Sequence, residues 1–139
     1  MSISVQIVTP ERPIYSGTCS EVRAPSALGE IGVMPGHRAL LAALDAGRVL
    51  VQAGNGDDIF AVSGGFIEVQ PNMVKVLADT ATRAKDIDEA AAQAAVKAAE
   101  KALHEKGADF DYGSAAARLA EAAAQLRTIE QMRKKYGRH

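Results

Sequence analysis

The chain has a single cysteine, no tryptophan, and aromatic side chains at only 4% of its 139 residues. With Cys19 alone, no intramolecular disulfide can form, which excludes the disulfide-stapled secreted scaffolds and fits a reducing compartment. A lone cysteine in a strand reads as a small buried hydrophobe. No apolar run reaches the roughly 18 residues of a membrane-spanning helix, so any membrane association is expected to go through other proteins. The opening MSISVQIVTP lacks the charged-then-apolar order of a signal peptide and the Arg-rich, acid-poor character of a transit peptide. Net charge is scarce too: a formal −1 excludes a globally basic nucleic-acid binder.

Catalytic chemistry is equally thin. The histidines are His37, His104 and His139, and no Cys/His/Asp spacing resembles a zinc or other metal site. Ser63-Gly64-Gly65 lacks the flanking glycines of a nucleophile elbow, and no histidine lies near it in sequence to act as base. The stretch from Gly29 to His37 is glycine-rich, but no Lys-Ser/Thr pair follows it and no helix N-terminus opens after it. No catalytic residue is assigned, and the chain is expected not to be an enzyme by itself.

What is present is an apolar fraction of 47%, much of it alanine, which buries little area per residue. A modest core follows, and a partner surface could supply part of the stability. The charge is unevenly placed. Residues 1–83 carry a net −2, residues 84–111 a net −3, and residues 112–139 a net +4. The last segment holds Arg118, Arg127, Arg133, Lys134, Lys135 and Arg138, which points to an acidic partner surface for that end.

Two periodicities divide the chain. Over the first 80 or so residues, Ile3, Val5 and Ile7 alternate with Ser4, Gln6 and Val8. Short apolar stretches then recur around Val22, from Ile31 to Met34, Arg48 to Gln52, Ile59 to Val62, Phe66 to Val69 and Met73 to Leu77. Turn signals separate them: Pro25-Ser26, Pro35-Gly36, Ala46-Gly47, the Gly54 to Asp57 cluster, Gly64-Gly65 and Pro71-Asn72. Short strands at this spacing predict an all-β sandwich or barrel. Asn55-Gly56 is a hairpin signal because both residues tolerate the positive φ of a tight reversal. Residues 39–44 read equally as a strand or as one helical turn.

After Arg83 the period changes. Asp86 is predicted as a helix N-cap, with Glu89 three residues on completing a capping box. Residues 87–106 then hold no Gly or Pro and are dominated by alanine, with Gly107 placed to stop the helix. A second helix is predicted from Ser114 to about Lys135, with Leu119, Leu126, Ile129 and Met132 along one face. The short connector, 107–113, folds the two back on each other. The predicted class is therefore α+β with two segregated parts: an antiparallel β-sandwich over residues 1–83 and an antiparallel α-helical hairpin over residues 84–139. Buried alanine stabilises less than buried leucine, at about 25 cal/mol per Å² of apolar area, so each helix should persist while the contact between them is weak. Such a hairpin can be a switch or simply a stable motif, and composition leaves both open.

Several segments together resemble a known family. Gly29-Glu30-Ile31-Gly32-Val33-Met34-Pro35-Gly36-His37 with Leu40-Leu41 is similar to the G-E-[IL]-G-x-x-P-G-H-x-x-L-L signature of the epsilon subunit of bacterial F-type ATP synthase. Ser63-Gly64-Gly65-Phe66-Ile67-Glu68-Val69, followed by Val74, Val76 and Leu77-Ala78-Asp79-Thr80-Ala81, resembles its second signature. Asp86-Ile87-Asp88-Glu89-Ala90 resembles the start of its first C-terminal helix, and Ala124-Gln125-Leu126-Arg127-Thr128-Ile129-Glu130 resembles its second. The resemblance runs in order along nearly the whole chain.

It implies a peripheral component of the central rotor stalk on the cytoplasmic face of a bacterial membrane. The sandwich would pack on the gamma subunit and rest on the c-subunit ring, coupling rotation to ATP synthesis. The hairpin would extend along gamma into the alpha and beta subunits of the catalytic head and inhibit ATP hydrolysis. Residue by residue, the resemblance assigns c-ring contact to Glu30 and His37. It assigns inhibitory docking on an acidic loop of the beta subunits to Arg127, Arg133, Lys134 and Lys135. Some members bind ATP through I/L-D-x-x-R-A. Here that motif keeps Asp88 but has Ala91 in place of the arginine, so no cofactor is expected. Beside this stands a reading from another class, a stand-alone β-sandwich ligand-binding module whose hairpin mediates self-association.

Overall fold

The structure, a computed structural model, describes residues 2–105 and 111–136. Ten strands come first: β1 (Ile3–Val8), β2 (Pro13–Cys19), β3 (Glu21–Ser26), β4 (Gly29–Val33), β5 (Leu40–Leu44), β6 (Gly47–Ala53), β7 (Gly56–Val62), β8 (Gly65–Gln70), β9 (Met73–Ala78) and β10 (Ala81–Arg83). A 3-10 turn at Ala84–Asp86 leads into α1 (Glu89–His104) and then α2 (Tyr112–Tyr136).

The strands pair in the order β10-β7-β6-β3-β5-β8-β9-β1-β2, with β4 joined to β3. One bridge, Ser26 to Leu44, links β3 to β5. About that narrow link the sheet folds over itself into two layers. Val22, Val49, Val51, Phe60 and Val62 of one layer pack against Ile3, Val5, Ile7, Ile67, Val69, Val74 and Val76 of the other. The alternation at Ile3, Val5 and Ile7 sends those side chains inward and Ser4 and Gln6 outward, as a period of two requires. The expected sandwich is therefore present. One pairing, β1 with β9, is parallel, which the expected antiparallel pattern did not contain.

Local corrections follow from pairing. Pro25-Ser26 is not a turn. Both residues lie in β3 opposite Glu30 and Gly29, and the reversal falls on Ala27-Leu28, where the Ser26 hydroxyl accepts from Leu28 N at 3.1 Å and donates to Gly29 O at 2.6 Å. Residues 40–44 resolve to a strand held along β8. The segment Pro13–Cys19, which sequence reasoning did not read as a strand, pairs with β1. Gly65 is required where it stands: φ is +129°, and a Cβ there would run into the Leu77 carbonyl oxygen across the ladder.

The helix cap also shifts. Asp86 lies inside the 3-10 turn, with Ile87 N donating to Ala84 O, so its backbone cannot serve as an extended cap. Asp88 takes that role, in β conformation, with Oδ1 accepting from Ala91 N at 3.1 Å. Glu89 becomes the first helical residue instead of the closing residue of a capping box. The first helix ends at His104, two residues before the expected Lys106. Gly107 and most of the expected connector lie outside the described residues. Helix α2 opens at Tyr112 instead of Ser114, with Asp111 Oδ1 accepting from Ser114 N at 3.0 Å.

The two helices pack together, and α2 also packs on β6 and β7. Among its described side chains the fully buried ones are small: Ala115 and Ala122 on one side, Ala124 and Thr128 on the other. At about 100° per residue these are opposed faces, one against α1 and one against the sandwich. The expected row of Leu119, Leu126, Ile129 and Met132 is only half-buried, although the first three share the face of Ala115 and Ala122. On the sandwich, Leu50, Ile59 and Ala61 point out of the core and are buried beneath α2. No helix among the described residues is long and apolar enough to cross a membrane.

Candidate functional surfaces

The polar candidates on the sandwich are not neighbours along β4. Glu30 is its second residue, opposite Pro25 near the Ala27-Leu28 reversal. His37 lies four residues past the other end, in a turn where its own N–H donates to Met34 O and Gly36 N donates to Pro71 O. At about 3.3 Å per residue, most of the length of β4 and a turn separate them. Glu30 joins a charged cluster, with Arg23 at 3.6 Å from it and 3.4 Å from Glu21. His37 is half-buried, with Nδ1 donating to Arg38 O at 2.7 Å.

On α2, Arg127 is exposed and makes no ion pair with any described residue, and Lys134 pairs within its own helix with Glu130 at 3.6 Å. Lys135 lies in α2, but its side chain falls outside the described residues. Arg133 differs. Its Nη1 donates to Glu89 Oε2 at 3.0 Å, and its Nη2 donates to Glu89 Oε1, a two-pronged bond to the first residue of α1. The hydrogen bond from Arg133, and then its charge, hold the Glu89 carboxyl below the usual glutamate range.

Between the helices and the sandwich runs a groove of about 610 Å³ floored by Ala91, Ala95, Ala98 and Ala99. Its polar lining includes Asp86, Asp88, Glu121 and Arg118. Asp88 is already engaged as the helix cap, and Ala91 offers no guanidinium. Three carboxylates against one cation do not suit a polyphosphate, so this lining does not fit ATP.

At the junction of the two parts, Arg83 stacks over Tyr15 and Phe60, its guanidinium carbon 5.4 and 5.2 Å from the ring centroids. Its Nη1 donates to Asp58 Oδ1 at 3.3 Å. Burial first, and the Asp58 charge second, raise the Tyr15 phenol above its ordinary value. The contact fastens the start of the helical segment to the sheet, since cation–π contacts strengthen as they are desolvated. Among the described residues no group of three or more His, Cys, Asp and Glu is placed to hold a metal. Cys19 is buried beside the Ile3 carbonyl, and burial pushes its thiol up.

A surface that sequence reasoning did not single out lies on the outer face of β5, β8 and β9. Leu41, Phe66 and Leu77 are 69, 55 and 41% exposed. Ala43, Phe66 and Leu77 stand directly opposite one another, and Val8 of β1 continues the row beside Leu77. Glu68 and Lys75 face each other in the next row, beside Leu41. The signal was available: Leu41, Phe66 and Leu77 occupy strand positions out of phase with the core, where polar residues are the rule on a solvated face.

The architecture defines a class, a β-sandwich carrying a docked two-helix hairpin and presenting one apolar sheet face. Residues 2–84 match the family described as ATP synthase, Delta/Epsilon chain, beta-sandwich domain, and residues 85–130 match its long alpha-helix domain. The chain belongs to the delta/epsilon chain family of ATP synthase. Among solved structures it is similar to a chain of the Euglena gracilis mitochondrial ATP synthase (OSCP/F1/c-ring), with a TM-score of 0.68 at 19% identity, covering 97% of this chain and 81% of that one. It is also similar to a chain of the Tetrahymena thermophila mitochondrial ATP synthase central stalk and c-ring, with a TM-score of 0.53 at 19% identity, covering 94% and 96%. At that identity the likeness is one of fold.

Proposed function

We propose that this chain is a non-catalytic rotor-stalk subunit of a proton-translocating F-type ATP synthase, held at the cytoplasmic face of a bacterial membrane through its partners. Residues 1–83 bind the gamma subunit and the c-ring and couple rotation to synthesis. Residues 84–139 form a regulatory arm that inhibits ATP hydrolysis when it extends into the alpha and beta subunits. The observation that carries this reading is the match of both parts to the family, in order, over residues 2–130.

The exposed row of Ala43, Phe66, Leu77 and Val8 supports a sheet face covered by gamma, since a contiguous apolar patch on a sandwich is otherwise a liability. Glu30 and His37, on different parts of the rim, are assigned to the c-ring as separate contacts. Arg127, Arg133, Lys134 and Lys135 are the docking cations for an acidic loop of the beta subunits.

The test is ATP hydrolysis by a purified catalytic head with gamma, titrated with the full chain, with a 1–86 truncation and with Phe66→Glu. The full chain should bind and lower hydrolysis, the truncation should bind without inhibiting, and Phe66→Glu should bind at least tenfold more weakly while staying folded. If neither the full chain nor the truncation binds, the rotor-stalk reading fails and the stand-alone module takes its place.

A further inference from the structure

Among the docking candidates whose side chains are described, Arg133 alone is tied across the hairpin. Its partner, Glu89, lies 44 residues away in sequence and at the opening of α1, so the bond closes the hairpin at the end opposite its connector. Among the described residues the fully buried part of the seam it closes is Ala92, Ala99, Ala115 and Ala122, which bury little more than methyl groups, while Val96, Leu103, Leu119 and Leu126 on the same faces stay half-buried. Beneath α2, on the β6 face that also carries Leu50, Arg48 Nη1 is buried without a hydrogen-bond partner among the described residues. A buried donor left unpaired weighs against the docked arrangement, and lifting α2 would return it to water. The docked state thus rests on a weak seam with a built-in cost, and a single end clasp becomes significant.

We infer that the Glu89–Arg133 clasp is a latch that holds the hairpin folded on the sandwich and withholds Arg133 from docking, so that one cation serves the two states in turn. The latch concerns the regulation of the arm and rests on the docking role proposed above. In the folded state Glu89 stands in for the acidic partner surface. In the extended state the guanidinium is released to a carboxylate of the partner, and Glu89 is left to solvent at the helix N-terminus, where an acid is tolerated. Opening and docking are then coupled through competition for the same two-pronged donor.

The measurement is backbone hydrogen exchange of the full chain across α1 and α2, for Glu89→Gln, Arg133→Gln and the swap E89R/R133E, followed by inhibition of hydrolysis with the gamma-containing head. Both single variants should raise exchange in the helices by about two- to fivefold, the range of an exposed ion pair. The swap should restore protection although it reverses the charge at the helix N-terminus. In the hydrolysis assay the two singles should part: Glu89→Gln should inhibit at a lower chain concentration, Arg133→Gln only at a higher one. Unchanged exchange in both singles, or no rescue in the swap, overturns the latch. Raised exchange and rescue, with inhibition identical in both singles, leaves the latch standing and overturns the docking role of Arg133.

Discussion

The sandwich and the hairpin are held together by different amounts of apolar surface. Between the sheet layers the fully buried side chains include Phe60, Ile3, Ile7 and Ile67 with a set of valines. Between the helices the fully buried residues among those described are alanines, with Val96, Leu103, Leu119 and Leu126 half-buried, and α2 adds Thr128, whose hydroxyl is satisfied by its own helix through Ala124 O at 2.8 Å. Helix propensity keeps each helix wound, but it does little to fix one helix against its neighbour. Stability is therefore concentrated in the sheet, and the hairpin belongs to the low end of the local-unfolding scale, where regulatory elements are drawn from. One part gives a rigid platform, and the other is held on it by less apolar surface.

The sharpest way to break this comparison is at Phe60, fully buried and in edge-to-face contact with Tyr15 at 5.4 Å between centroids. Phe60→Ala should cost roughly 3–5 kcal/mol, because a large cavity opens among residues that cannot collapse around it. A lowered urea midpoint of the sandwich signal would show it. A cost below that of any hairpin substitution would mean the sheet is not the stable part.

A smaller effect is expected at Ala122, buried in the seam facing α1. Ala122→Leu should force the helices apart at about 1–3 kcal/mol. Exchange should quicken in α1 and α2 while the amides of β1 and β9 keep their protection. Equal loosening of both parts would show that hairpin and sandwich unfold as one unit.

The smallest effect is that of pH on the clasp. The Glu89 carboxyl is lowered in the folded state, so its contribution is fully present above the unfolded glutamate value of about 4 and is lost as pH falls through the folded value. Helix exchange, corrected for the intrinsic rate, should therefore quicken on acidification below about pH 4 in the parent chain, and Glu89→Gln should remove that component. An unchanged acid response in the variant would assign it to other carboxylates.

Much of the sandwich was legible because its signals are local. Alternation at Ile3, Val5 and Ile7 needs only a period of two, and Asn55-Gly56 and Pro71-Asn72 reverse the chain wherever they occur. Pro25-Ser26 misled because a proline reads as punctuation, yet here it stands in β3 beside β4, whose register it leaves intact. The consecutive buried residues Ile59, Phe60, Ala61 and Val62 carried a signal that went unread: a strand apolar on both faces is covered on both, in this case by α2. Asp86 reads as the cap from its spacing to Glu89, but the 3-10 turn at Ala84–Asp86 holds it and passes that role to Asp88.

The sequence by itself determined that strands precede helices, that the helices fold back as a pair, and that basic charge gathers at the end of α2, since each depends on composition or on neighbours a few positions apart. Only the tertiary structure decided the parallel pairing of β1 with β9, the apolar row of Ala43, Phe66 and Leu77, the separation of Glu30 from His37, and the capture of Arg133 by Glu89. Those depend on which distant segments meet and in what register, and a one-residue slip of a strand would send each such side chain to the opposite face.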